Sequence, residues 1–158
     1  MAAPLFGLLA AGTCFVAPID APVTDPFRQP PCEWCAGNRG IEFGPTTGHE
    51  VIAAASGTVT FSGSVAGTTY VVVQHADGTR TTYGMLARAE VGRGAHVDVG
   101  DQIAVAGSRL HFGWRDGDTY LDPTDVLGRL QRRPRLIPLD GTAPRTAPDG
   151  GRCVAREP

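Results

Sequence analysis

Short runs that alternate apolar and polar residues, separated by glycine-containing turns, occupy most of the chain after residue 50. The runs are rich in β-branched residues, and such alternation places successive side chains on opposite faces of a strand. Turn residues join neighbouring runs at 76–79 (Ala-Asp-Gly-Thr) and at 116–118 (Asp-Gly-Asp). The runs cover residues 51–63, 68–75, 80–86, 89–107, 108–115 and 119–123. The pattern predicts an all-β fold made mainly of antiparallel hairpins.

One segment departs from this alternation. In "PTDVLGRLQRR" (123–133), Val126, Leu127 and Leu130 fall on one side of a helical turn. We therefore expect one short C-terminal helix there.

Composition agrees with a single turn-rich β domain. The chain has 158 residues, of which 21 are Gly and 13 are Pro, and 42% are apolar. Its length is enough for one hydrophobic core. The net charge is −2, which gives no indication of a nucleic-acid partner. We expect a monomer.

The N-terminal segment "MAAPLFGLLAAGTC" is apolar and uncharged. It is too short to span a bilayer and lacks a basic leader, so we interpret residues 1–15 as the remnant of an export signal. Acylation of Cys14 in a lipoprotein and an ordinary apolar segment packed on the domain are the alternatives. No other run is long enough to span a membrane. Residues 16–133 form the predicted β domain, and the Pro-, Arg- and Gly-rich residues 134–158 form a tail tethered by Cys153.

Four cysteines allow three disulfide pairings. A zinc site would have to bring Cys14 and Cys153 together from opposite ends of the chain, and "CEWC" lacks the strand–helix context of a thioredoxin-like redox motif. An even number of cysteines in an exported chain favours disulfides. The simplest pairing is Cys14–Cys153 with Cys32–Cys35, and we expect Trp34 to form a hydrophobic lid on the short loop.

The run "RLHFG" (109–113) contains two side chains that could take part in binding or catalysis. Alternation places Arg109 and His111 on one face of the strand and Leu110 and Phe112 on the other. The remaining histidines, His49, His75 and His96, occur beside turns, and we expect them to be exposed.

The framework resembles the lysostaphin/LytM-type zinc endopeptidases that cut peptidoglycan cross-bridges. The resemblance covers about residues 16–130 and rests on "NRGIEF", "VIAAASGTVTFSG", "YVVVQHADGTRTTYGML", "VGRGAHVDVGDQIAVAG", "RLHFGW" and "LDP". It implies a compact antiparallel β-sheet domain, the duplicated hybrid motif, with a groove over the sheet.

The residues at the family's site positions depart from its pattern. The resemblance implies a His-x-x-x-Asp ligand pair, a His-x-His strand and a histidine after a tyrosine. This chain carries Asn38 and Glu42 at the ligand pair, Met85 after the tyrosine and Arg109 at the first histidine of the strand. Only His111 keeps the family's residue, so four of the five positions differ.

These departures argue against zinc catalysis. A catalytic zinc takes three protein ligands and an open position, but Asn38 offers only an amide oxygen and Arg109 is permanently cationic. At roughly 5 Å and an effective dielectric near 20, Arg109 would repel a doubly charged ion by about 7 kcal/mol. Met85 cannot move a proton. We therefore expect no cofactor, with zinc only if the chain is active.

The same residues suggest what replaces the metal. We expect Arg109 to take the vacated position and pair with Glu42, with His111 packed beside them as a structural histidine. The alternative is that Arg109 points out of the groove and Glu42 is solvated. Trp114 is a candidate for either the core or the groove floor. The candidate groove residues are Asn38, Glu42, Tyr83, Arg109, His111 and Trp114.

Three functions remain compatible with the sequence. The first is a catalytically inactive, secreted cell-envelope domain that binds a peptidoglycan peptide or regulates a cell-wall hydrolase. The second is an active zinc endopeptidase with atypical ligands. The third is a structural envelope domain without a ligand.

Overall fold

The fold is almost entirely β, as the alternation predicts. The computed structural model describes residues 14–131 and 152–155. Its strands are β1 (Phe15–Val16), β2 (Val23–Asp25), β3 (Ile41–Phe43), β4 (Glu50–Ile52), β5 (Gly57–Val65), β6 (Thr68–Gln74), β7 (Arg80–Ala89), β8 (His96–Val97), β9 (Gln102–Asp116), β10 (Thr119–Leu121), β11 (Leu127–Gln131) and β12 (Arg152–Ala155). The run at 51–63 is broken into β4 and β5, and both predicted hairpin turns are confirmed, between β6 and β7 and between β9 and β10.

Strand β9 organises the larger sheet. It is 15 residues long and pairs with β7 along one edge. Its other edge pairs with β4, β3 and β10 in succession. The sheet runs in the order β2-β3-β9-β7-β6-β5-β8, with antiparallel pairing throughout. This long strand therefore extends the full length of the sheet and contacts four other strands.

The two faces of β9 have different environments. Leu110 and Phe112 are fully buried, while Arg109 and His111 lie on the opposite face, as the alternation predicts. The same hydrophobic core contains the fully buried side chains of Ile41, Val71, Val73, Tyr83 and Ile103. The apolar core therefore fixes the register that presents the polar face.

The predicted C-terminal helix is wrong. Thr124–Val126 form a single 3₁₀ turn, and Leu127–Gln131 continue as β11. This strand pairs in parallel with β1 and antiparallel with β12. An isolated helix of about eleven residues is only marginally stable in water, and Gly128 weakens it further. Backbone pairing with β1 and β12 is therefore enough to make this segment a strand.

Both predicted disulfides are present. The Cα atoms are 5.7 Å apart in Cys14–Cys153 and 5.0 Å apart in Cys32–Cys35. The sulfur of Cys14 is therefore not available for the acylation considered as an alternative. The predictions for residues 1–13, and for residues 134–151 and 156–158 of the tail, fall outside the described residues. In the described part of the chain, no helix is long and apolar enough to cross a membrane.

Candidate functional site

A groove of about 450 Å³ lies over the polar face of the large sheet. Strands β3, β6, β7 and β9 contribute its floor, and the loop before β3 and the β9–β10 hairpin contribute to its lining. Of the residues expected at the site, Asn38, Glu42, Met85, His111 and Trp114 line it. Positions up to 76 residues apart in sequence therefore converge on one surface, as the resemblance implied.

The strand register places Glu42 and His111 side by side. Glu42 on β3 is directly opposite His111 on β9, and Gly84 on β7 is opposite His111 on the other side. Directly opposed residues of adjacent strands project from the same face of the sheet. The carboxylate and the imidazole therefore share the centre of the groove.

Arg109 forms the ion pair with Glu42 that the sequence predicts. Nη1 of Arg109 lies 2.9 Å from Oε2 of Glu42, and their side chains are 57% and 12% exposed. The N–H bonds of the guanidinium are not directed at this oxygen, since Oε2 is buried without a hydrogen bond from the described residues. The contact is thus chiefly coulombic, and it neutralises the one carboxylate at the centre of the groove.

His111 lies in a largely desolvated position. Burial lowers the pKa of His111 below the usual 6.5, and the nearby charge of Glu42 opposes the shift by raising it. Neutral imidazole is thereby favoured near neutral pH. A cation is already supplied next to Glu42 by Arg109.

Asn38 forms hydrogen bonds that stabilise the loop before β3. Its backbone forms both hydrogen bonds of an isolated bridge to Arg28, with N···O distances of 2.9 and 3.0 Å. Its side-chain Nδ2 donates to the carbonyl oxygen of Pro26 at 3.2 Å and to that of Asp25 at 3.5 Å. The amide therefore holds the segment around residues 25–28 against the loop that leads into β3.

Met85 occupies an irregular position in β7. Its φ is +60°, and the pairing of β7 with β9 shifts register between Gly84 and Leu86. This bulge directs residue 85 into the lining of the groove. A thioether there contributes apolar surface and cannot act as a general acid or base.

The donors in the groove do not match a catalytic zinc site. Glu42 is paired with Arg109, and Asn38 donates to backbone carbonyls. His111 is then the one family ligand that remains at these positions. Within residues 14–131 and 152–155, no group of three His, Cys, Asp or Glu side chains is arranged to hold a metal ion. Three protein ligands are what such a site requires.

The expectation that Tyr83 is a groove residue is wrong. Its side chain is fully buried on the core face, where its hydroxyl oxygen accepts a hydrogen bond from the N–H of Ala54 at 2.8 Å. Burial raises the pKa of Tyr83 to about 12. Alternation explains the error, because Tyr83 opposes the buried Phe112 across the strands. Its neighbours Thr82 and Gly84 face the groove side.

Two further expectations are wrong. Trp34 does not cover its loop as a lid, since 86% of its surface is exposed. His75 is buried, with Nδ1 2.9 Å from the carbonyl oxygen of Ser56 and Nε2 2.9 Å from the hydroxyl of Thr81. Its ring also lies 5.5 Å from that of Phe15. The strand β1 that covers His75 comes from the far N-terminal side of the sequence, so local pattern could not place it. His49 and His96 are exposed as expected.

Trp114 serves both of the environments proposed for it. Its ring packs edge-on against Phe15 at 5.3 Å, which ties it to the core. It also lines the groove, and its Nε1 is buried without a hydrogen bond from the described residues.

Sequence reasoning missed the residues at one end of the groove. Arg39, Arg115 and Tyr120 line it there, and Tyr70 lies across its floor. Arg115 carries a signal that the alternation offered, since Arg109, His111, Gly113 and Arg115 occupy successive positions of the same face. Tyr120 follows from the hairpin, because it pairs directly with Arg115.

Glycines give the groove its floor. A Cβ added at Gly40 would lie 2.9 Å from Cε1 of His111, and one added at Gly84 would lie 2.6 Å from the ring of Tyr70. Both distances are shorter than side chains tolerate, so the imidazole and the phenol lie directly on the backbone. Larger residues at these positions would displace both rings.

The comparisons with known proteins agree with this geometry. The sequence model described as Peptidase family M23 matches residues 36–123, which include all five site positions. The chain is 35% identical over 137 residues to the uncharacterized protein Rv2891 of Mycobacterium tuberculosis, covering 72% of this chain and 54% of that protein. It is also 35% identical over 100 residues to the lipoprotein NlpD/LppB homolog of Pseudomonas aeruginosa, covering 58% of this chain and 34% of the homolog. The chain thus spans about half the length, or less, of the curated relatives it matches.

Solved structures share the fold. Csd3 of Helicobacter pylori superposes with a TM-score of 0.65 at 23% identity, covering 74% of this chain and 35% of that chain. The catalytic domain of lysostaphin from Staphylococcus simulans gives a TM-score of 0.58 at 22% identity, covering 65% of this chain and 89% of that domain. At these identities the likeness establishes the architecture alone.

Proposed function

The chain belongs to peptidase family M23, and from that membership we propose that it is a catalytically inactive domain of the cell envelope that binds a peptidoglycan peptide in its groove. The family's groove is retained, with a volume of about 450 Å³. Of the metal ligands and proton-transfer groups that the family uses in it, only His111 is retained.

The Arg109–Glu42 ion pair carries this proposal. The guanidinium of Arg109 lies 2.9 Å from the carboxylate of Glu42. It neutralises the negative charge with which Glu42 would otherwise attract a metal ion. With Met85 at the other proton-handling position, we expect the groove to supply neither a metal-activated water nor a general base. The groove then offers a concave, partly polar surface that is suited to binding a peptide.

The location in the envelope rests on two observations. Both cysteine pairs within the described residues are disulfides, which persist in oxidising compartments. One relative at 35% identity is described as a lipoprotein. We propose that the chain is exported and meets the cell wall there.

Co-sedimentation with purified peptidoglycan sacculi tests the proposal. We expect the native chain to sediment with sacculi and to release no new amino groups. Thr82→Trp would fill the groove from its floor and should reduce sedimentation at least about tenfold. Thr58→Trp, an equivalent change at an exposed position of β5, should leave it unchanged.

Each other outcome identifies a different function. Release of amino groups that a chelator abolishes would establish the active zinc endopeptidase instead. Equal sedimentation of all three proteins would place wall binding outside the groove. No sedimentation would exclude wall binding and leave regulation of a cell-wall hydrolase or a structural role.

A further inference from the structure

Two arginines, Arg39 and Arg115, line the end of the groove that is remote from the Arg109–Glu42 pair, and a third, Arg80, lies beside them. Arg80 on β7 and Arg115 on β9 are directly opposed across the strands. On the other side of Arg115, the directly opposed residue is Tyr120 of β10. The guanidinium carbon of Arg39 lies 5.6 Å from the centre of the Tyr120 ring. Together these residues form what we call the arginine end of the groove.

None of these three arginines is ion-paired within the described residues. Their four ion pairs are Arg28–Asp25, Arg88–Glu90, His96–Asp98 and Arg109–Glu42, and none includes Arg39, Arg80 or Arg115. Like charges directly opposite each other on a sheet are destabilising.

Buried donors at the same end also lack an acceptor. Nε of Arg115 and Nε1 of the adjacent Trp114 are buried and receive no hydrogen-bond partner from the described residues. Most buried donors in folded proteins are paired. The unpaired Nε of Arg115, beside two further guanidinium groups that have no ion pair, indicates a place for an anionic acceptor.

The Cys32–Cys35 loop holds one of these cations in position. Nη2 of Arg39 donates to the carbonyl oxygen of Glu33, inside the disulfide loop, at 2.6 Å. The ring of Tyr120 supports the same guanidinium by a cation–π contact. Fixing the side chain before binding reduces the entropy lost when a ligand arrives.

We propose that the arginine end is a subsite for a free carboxylate of the bound peptide. This inference rests on the proposed function, since the peptide occupies the same groove. Planar guanidinium groups form paired hydrogen bonds with a carboxylate. The carboxylate would balance the charge of Arg115 and Arg39, and the rest of the peptide would extend along the groove toward His111.

Isothermal titration of the full chain with two synthetic peptides tests this directly. One is a peptidoglycan stem tetrapeptide with free carboxylates, and the other is the same peptide with every carboxyl group amidated. We expect the free acid to bind about tenfold more tightly, as one charge-assisted paired contact would produce.

Variants locate the preference. Arg115→Gln and Arg39→Gln should each reduce the preference for the free acid over the amide to about threefold or less. Arg93→Gln, at an exposed turn that does not line the groove, should keep the full preference. Thermal melting of each variant checks that it folds, and the two-peptide comparison on the native chain requires no variant.

The outcomes separate this inference from the function on which it rests. Equal binding of both peptides to the native chain overturns the carboxylate subsite and leaves peptide binding intact. Binding of neither peptide overturns both. If a glycerol phosphate oligomer displaces the peptide and the acid shows no advantage over the amide, the arginine end is a phosphate site and the carboxylate assignment is wrong.

Discussion

Single side chains in the groove are coupled through the charge of Glu42. Its carboxylate is 12% exposed and has Arg109 as its partner, whereas Arg109 itself is 57% exposed. A half-solvated pair of this kind contributes only about 0–1 kcal/mol net. Removing Arg109 alone should cost more stability than this, because it leaves the buried carboxylate oxygen of Glu42 without a counter-charge.

A double-mutant cycle should reveal this asymmetry. We expect Arg109→Met to lower the free energy of unfolding by about 1–2 kcal/mol, since it leaves a buried charge without its partner. Adding Glu42→Gln should restore most of that loss. Urea unfolding at pH 7 measures both. Losses that simply add would mean that the two side chains do not interact.

The pH dependence of stability should report on His111. Burial holds the pKa of His111 below 6.5 in the folded chain. Between 6.5 and that lower value the unfolded chain binds more protons, so stability is full above pH 6.5 and falls as the pH is lowered through this window. His111→Gln should reduce this fall, whereas His49→Gln, at an exposed position, should retain it. Unfolding free energies at several pH values between 5 and 8 make the comparison, and identical profiles for His111→Gln and the native chain would contradict it.

Among the elements, β11 depends most on tertiary partners. It lies between β1 and β12, and the disulfide across it joins Cys14, which directly precedes β1, to Cys153 of β12. A Cβ added at Gly128 would lie 2.7 Å from the sulfur of Cys14, 2.8 Å from that of Cys153 and 2.3 Å from the carbonyl oxygen of Val154. The small sheet therefore requires glycine at the second position of this strand.

Gly128→Ala should consequently destabilise the domain by about 1–3 kcal/mol, the usual range for overpacking. Gly92→Ala is the matched control, because a Cβ there meets nothing within 4 Å. Thermal and urea unfolding of the oxidised proteins compare them. Equal stability of the two variants would mean that β11 is not held against the disulfide.

At the scale of the whole molecule, the framework should accept the family's missing ligands. Asn38, Glu42, Met85 and His111 line one groove, and Arg109 is paired with Glu42. The quadruple variant Asn38→His, Glu42→Asp, Met85→His and Arg109→His should therefore bind about one zinc ion per chain. The native chain and Arg109→His alone should bind little.

Equilibrium dialysis with metal analysis measures this uptake, and circular dichroism verifies the β fold. Replacing Asn38 removes its hydrogen bonds to the carbonyl oxygens of Pro26 and Asp25, so a modest loss of stability is expected alongside zinc binding. A folded quadruple variant that takes up no zinc would show that the five positions do not form a metal site.

Local pattern was sufficient for most of the sheet. Period-two alternation and turn residues predict β6, most of β7, the second half of β9 and the hairpin to β10, because both signals act between residues that are neighbours in sequence. The same alternation separates Arg109 and His111 from Leu110 and Phe112. The family resemblance then predicts that Asn38, Glu42 and Met85 lie in the same groove, where the structure places them.

Tertiary structure decided the features that depend on distant partners. Leu127–Gln131 became a strand because β1 and β12 offered backbone hydrogen bonds on both sides. His75 was buried because Phe15 packs over it from more than fifty residues away.

The arginine end has the same origin. Arg39 comes from the loop before β3, Arg80 from β7 and Arg115 from β9. The sequence determined which side chains each strand presents to the groove, because the period of a strand is a property of its own backbone. Which charges meet there was decided by the pairing of strands, since a pairing energy belongs to two segments and is absent from the sequence of either one.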